Sequence, residues 1–222
     1  MNFRRTVTLA QLILVFAVLA VPLSGQSLAD WYAESPLATR YTAIRGELEE
    51  LHAHTVEAGV DPEFLLIFLR EGAAKGVAPA RLLPAADQYV QHTLVAARVL
   101  EVAPWNPDDL LPAAVSFLQI GYGESDLLRL VSAASSSRRA REGLYTLAAI
   151  HRGESPESDL LMELGEALLA SEIPVASFSA IASVYDQGRD AGLSSGRILE
   201  LFIRTIEQGG GLIQLRRAVS GA

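Results

Sequence analysis

Four histidines and the carboxylates near them are the first places to look for metal or acid–base chemistry, because the chain of 222 residues contains no cysteine. Glu49 and His52 form a Glu-x-x-His pair, and Glu50 and His54 stand four apart, as carboxylate-bridged metal bundles require. Such a centre takes a second Glu-x-x-His from another helix, and the chain has none. On a helix His52 and His54 point roughly 200° apart and cannot share a metal by themselves. With Glu47 and Glu57 nearby, the segment reads as a solvated helix face. His92 and His151 have no sequence-near acid that suggests a triad, there is no Gly-x-Ser-x-Gly elbow, and both read as half-exposed helix histidines. The glycine-rich "EQGGGLIQ" lacks the strand and the lysine of a phosphate loop. No metal and no cofactor is expected.

Glu124 has a different setting. It opens "ESDLLRL", with Ser125 beside it and Gly143-Leu144 downstream. These residues resemble the Glu-Ser and Gly-Leu-Met-Gln elements of lytic transglycosylases, over residues 124–146 only. The resemblance implies a general acid at Glu124 whose pKa a greasy pocket would raise. It fails at Tyr145-Thr146, which depart from the second element. The alternative is a carboxylate in the first turn of a helix, opposing the dipole there.

The densest basic cluster is "SSSRRAR", residues 135–141. If Ser137 caps the next helix, Arg138, Arg139 and Arg141 crowd its positive end, where cations are disfavoured. A solvated turn with weak surface pairs, including Glu142, would account for them. So would an anionic docking point, since guanidinium forks suit carboxylates and phosphates. Replacing all three should leave thermal stability nearly unchanged. Among the aromatics that could mark a binding face, Trp31 and Tyr32 either pack the N-terminal segment onto the core or meet a partner or a bilayer interface, and Tyr41, Trp105 and Tyr122 are further candidates.

What would position these residues is a relay of helices. Apolar residues recur at three-to-four spacing almost throughout, most clearly at Leu82, Leu83, Ala86, Tyr89, Val90, Leu94, Ala97 and Leu100. The repeated phrases Gly59-Val60-Asp61-Pro62 and Gly76-Val77-Ala78-Pro79 weld a helix stop to a helix start: a left-handed glycine, an apolar residue, a cap and a first-turn proline. An apolar residue before the cap and another five on make a staple. The pairs are Val60/Leu65, Val77/Leu82, Trp105/Leu110, Tyr122/Leu127, Ile173/Phe178 and Leu193/Ile198. The spacing predicts helices over 36–58, 62–75, 79–102, 107–120, 124–134, 138–151, 156–171, 174–190, 194–208 and 212–219. "FLLIFL", residues 64–69, is apolar all round and is expected at the centre of the core. The fold class is all-α, about ten short helices, either a compact multi-helix domain or a degenerate α-solenoid.

The N-terminus carries Arg4 and Arg5, then an uncharged apolar run over residues 9–23, then small residues: a secretory signal pattern. The run is short of the roughly 20 residues a spanning helix needs. Cleavage is expected after Ala29, with Gly25 the less attractive site, giving a signal peptide at 1–29 and a single all-helical domain at 30–222. Removing two arginines and no acid takes the formal net charge from −8 to −10, which disfavours nucleic acid as a partner. The expectation is an exported, non-catalytic helical binding or scaffolding protein of a bacterial periplasm or cell envelope, with an unknown protein or envelope component as partner. The alternatives are a peptidoglycan-active enzyme using Glu124 and a protein tethered by an uncleaved N-terminus, which would then be the only membrane contact.

Overall fold

The computed structural model describes residues 27–152 and 158–221. Most of the expected signal peptide and the expected helix start at Ser155-Pro156 lie outside the described residues. Within them the chain is all-helical, with eleven α-helices and no strand. No helix among these residues is long and apolar enough to cross a membrane. The contacts divide the chain into two units, the first ending at Asp87 and the second starting at Gln88.

The first unit holds α1 (Leu28–Glu34), a 3-10 stretch (Ala38–Ile44), α2 (Arg45–Glu57), α3 (Glu63–Ala74) and the start of α4 (Pro79–Glu101). The single helix expected over 36–58 is thus two segments that meet at Ile44, whose backbone leaves the helical region at φ −114° and ψ 17°. The repeated phrase behaves as its residues demand. Gly59 and Gly76 have φ of 70° and 68°. At each, two hydrogen bonds close the helix end: Gly59 N–H to Val56 O and Val60 N–H to Thr55 O, then Gly76 N–H to Ala73 O and Val77 N–H to Gly72 O, all 3.0 Å. Asp61 accepts from Glu63 N–H at 2.9 Å and starts α3. α3 is not enclosed all round as expected: Leu65, Leu66 and Leu69 are fully buried, but Ile67 is 49% exposed. Trp31 and Tyr41 are core residues, stacked at 6.1 Å, and the Tyr41 hydroxyl donates to Val77 O at 2.7 Å.

The second unit continues α4 and adds α5 (Pro107–Gln119), α6 (Glu124–Ala133), α7 (Ser137–His151), α8 (Ser158–Ala170), α9 (Phe178–Asp190, after a 3-10 turn at Val175–Ser177), α10 (Ser195–Glu207) and α11 (Leu212–Ser220). From α5 to α10 the helices pack mainly on their second neighbours, and α11 lies on both α9 and α10. α5 lies on α7, α7 on α9 and α9 on α11, while α6 lies on α8 and α8 on α10. Close approach has a sequence cause at Gly165 of α8, where a Cβ would stand 2.8 Å from Leu147 and 2.9 Å from Leu130. In all six expected staples the second residue is buried, and none of the first residues is exposed. Their burial, at about 25 cal/mol per Å² of apolar surface, is what holds each short helix to its neighbours.

Candidate functional site

The turn between α5 and α6 places Tyr122 over a cleft of about 450 Å³, lined also by Asp126, His151, Ser158, Asp159 and Met162. Three helix ends build it. Asp126 sits in the first turn of α6, where its Oδ2 accepts the Gly123 N–H at 3.1 Å; His151 is the last residue of α7; Ser158 and Asp159 begin α8. Arg129 of α6 holds Glu166 of α8 through a forked pair, Nη2 to Oε2 at 2.6 Å, which ties together the two helices that carry the carboxylates.

Tyr122 is fixed on three sides. Its ring stacks on Phe117 at 4.6 Å and 15°, His151 meets it edge-on at 6.1 Å, and its hydroxyl donates to Ser158 O at 3.3 Å. Burial foremost, and then the negative charges of Asp126 and Asp159, push the phenol up to about 12. Burial pulls His151 below the ordinary imidazole value, which keeps it neutral near pH 7. The cleft thus presents a phenol that stays protonated, a neutral imidazole and two carboxylates, and among the described residues no lysine or arginine lines it. This set suits a bound cation or a donor-rich group. A phenol raised in this way is a hydrogen-bond donor rather than a nucleophile.

The other positions singled out by the sequence fall elsewhere. Glu49 pairs with Arg45 (2.7 Å), whose guanidinium lies 4.9 Å over the Tyr32 ring. Among the described residues no three His, Asp or Glu side chains are grouped to hold a metal ion. Glu124 is exposed at the first residue of α6 and does not line the cleft, while Gly143 and Leu144 are buried in α7. Trp105 is tied down by its indole N–H to Val131 O at 3.1 Å.

The arginine cluster is split. The cap of α7 is Ser136 rather than Ser137, its hydroxyl accepting from Arg139 N–H at 3.2 Å. Arg139 turns into the fold: Nη1 donates to Leu168 O at 3.0 Å, Nη2 to Ile173 O at 2.9 Å, and its guanidinium lies 5.2 Å over the Phe178 ring. A cation unfavourable at the start of α7 is thereby placed at the carbonyl end of α8, where it is favourable. Arg141 pairs with Glu142 at 3.2 Å, and Arg138 is exposed. Thermal indifference to substitution is thus expected of Arg138 and nearly of Arg141, and not of Arg139.

Of the residues lining the cleft, sequence reasoning weighed Tyr122 and His151 singly and passed over Asp126 and Asp159. Asp126 carried the one available signal, lying three residues after a helix-opening glycine, where an acid can accept the cap's backbone N–H. No protein-family model, no curated protein and no solved structure matches the chain.

Proposed function

We propose that the chain is an exported, non-catalytic helical binding protein of the bacterial cell envelope, and that the cleft at Tyr122 receives a cationic group of its partner. The observation that carries this reading is the composition of the cleft: two carboxylates, a phenol held protonated and a neutral imidazole, with no lysine or arginine among the described lining residues. A positive group entering it gains charge attraction from Asp126 and Asp159 and contact with an aromatic face. The leader-like N-terminus supports export. The second unit reads as a degenerate helical array: packing on second neighbours is the arrangement by which stacked helical pairs build extended binding surfaces. The exposed Arg138, with Arg141 beside it, is a secondary contact for an acidic part of the same partner.

The test is binding of a blocked lysine, Nα-acetyl-lysine methylamide, followed by the NMR shifts of Tyr122 and His151. The expected result is a saturable shift that roughly fivefold weaker affinity accompanies in Asp159→Asn, and that the Nε-acetylated probe does not produce. Equal response to both probes would refute a cation site. Release of soluble fragments from purified cell walls, lost in Glu124→Gln, would establish the transglycosylase reading in its place.

A further inference from the structure

The last helix carries a pair of cations that the fold does not use. Arg216 and Arg217 of α11 are exposed, and among the described residues no hydrogen bond or ion pair holds either guanidinium. They belong to a stretch, residues 208–222, with two arginines and no acid, in a chain of formal net charge −8. Ile213 lies one turn before them on the same face and is 63% exposed. The rest of α11 is fixed. Leu215 and Val219 are buried, Gly188 of α9 makes room for Val219, where an added Cβ would stand 2.9 Å from it, and Gln214 Oε1 accepts Gly211 N–H at 3.1 Å at the helix start. The two cations and their apolar neighbour are thus presented by a packed helix rather than by a loose tail.

The cleft at Tyr122 is the complement of that face. Asp159 is exposed and makes no hydrogen bond or ion pair among the described residues, and Asp126 commits only Oδ2, to Gly123 N–H. Ile120 and Met162 add an apolar wall beside the Tyr122 ring. A guanidinium suits both parts, since its fork pairs with carboxylates and its plane lies well on an aromatic face. The chain's own arginines are out of range. The cleft is built by α5–α8, whereas α11 packs on α9 and α10. With helix axes about 8–10 Å apart in the row α5, α7, α9, α11, the last helix stands roughly 20 Å from α7, beyond the reach of an arginine side chain.

We propose that the cationic group received by the Tyr122 cleft comes from a second copy of this chain: one guanidinium of the Arg216–Arg217 pair enters between Asp126 and Asp159, and Ile213 of the same face meets Ile120 and Met162 at the rim. This partner rests on the cation-binding reading of the cleft. Each copy offers one cleft and one basic face, so the contact is head-to-tail and joins copies into a ring or an open chain.

The test is sedimentation velocity of the purified chain from about 10 μM to about 1 mM, run beside the blocked-lysine titration. The expected result is association that grows with concentration and weakens at least tenfold in about 0.5 M salt. Two variants separate the halves of the contact. Asp159→Lys puts a cation into the cleft, and Arg216→Gln with Arg217→Gln removes those of α11. Both changes fall on exposed side chains without partners, so both variants should melt as the parent does. Each alone should associate at least tenfold more weakly than the parent. Mixed, they should form a one-to-one pair and nothing larger, because the mixture retains one kind of working cleft and one kind of working basic face, on different chains. A parent that binds the blocked lysine yet stays monomeric at about 1 mM overturns the second copy as partner and leaves the cation site standing; a parent that does neither overturns both. Association that survives in both variants, or a mixture that stays apart, overturns the head-to-tail contact.

Discussion

Removing the Arg139 guanidinium while leaving its neighbours in place should expose how differently three adjacent arginines are used. In Arg139→Gln the shorter side chain cannot reach Leu168 O and Ile173 O together, and the cation over Phe178 is gone. Hydrogen bonds to a charged donor are worth about 1.5–3 kcal/mol each when removal strands the partner. The loss at Leu168 is cushioned, because the Ser171 hydroxyl still donates to that carbonyl at 2.8 Å. The cation–ring contact adds about 0.5–1 kcal/mol, and relief of a cation from the start of α7 returns about 0.3–1 kcal/mol. The net expectation is a loss of about 2–3 kcal/mol, or roughly 5–10 °C in melting temperature for a chain of this size. Urea unfolding followed by circular dichroism measures it. Arg138→Gln should fall within about 0.5 kcal/mol of the parent. Arg141→Gln should fall within about 1 kcal/mol, since a partly exposed pair contributes little. Arg139→Lys should recover less than half of the loss, because one ammonium cannot span two carbonyls. Equal midpoints for the Arg138 and Arg139 variants would refute the placement of Arg139 and return the cluster to a uniform solvated surface.

Gly59→Ala should destabilise by about 1 kcal/mol through backbone strain alone, because its φ is 70° and nothing stands within 4 Å of the added Cβ; Gly46→Ala, equally unobstructed but helical, should stabilise by up to about 1 kcal/mol, and thermal melts of the pair check the contrast. Alkaline difference spectra should show a tyrosine that ionises late and is missing in Tyr122→Phe. Since the folded phenol sits near 12 against an ordinary 10, the stability it contributes is whole below about pH 10 and is lost between about pH 10 and 12. His92 and His151 have the opposite sign: burial depresses both from 6.5, so their contribution is present above that pH and is lost as pH falls through their folded values, which acid unfolding of His151→Gln against the parent would register as a shallower decline.

Helix ends were legible in the sequence because they are settled by a few adjacent atoms. Gly59, Gly76, Asn106 and Ser194 stop or cap helices through bonds that reach no further than five residues. The nine predicted helices that appear as single elements, counting the one led by a short 3-10 turn, end within a few residues of their expected bounds, apart from the start of the one expected over 156–171, which lies outside the described residues. Two features escaped for local reasons. α1 was hidden because its first residues also fit a cleavage signal, and Ser136 and Ser137 are chemically identical neighbours of which only one has the extended backbone a cap needs, φ −163° and ψ 154°. The cleft escaped for a different reason. His151 has no sequence-near acid that suggests a triad, and the acids that share its cleft, Asp126 and Asp159, stand on α6 and α8. Ile67 shows the same limit in reverse, since an all-apolar run does not reveal which face a neighbour leaves uncovered.

Packing of helices on their second neighbours also governs how the second unit can be assembled. A contact between α5 and α7, or α6 and α8, closes a loop only one helix long. The entropy lost at each closure is small, and no late pairing of distant segments must wait for the whole chain. Each new helix finds its docking face already made by the two before it. A chain threaded through a membrane pore from its N-terminus can therefore fold in step with its emergence, hiding each apolar stripe within one further helix, and an interrupted chain ends as a shorter stack rather than as an exposed core.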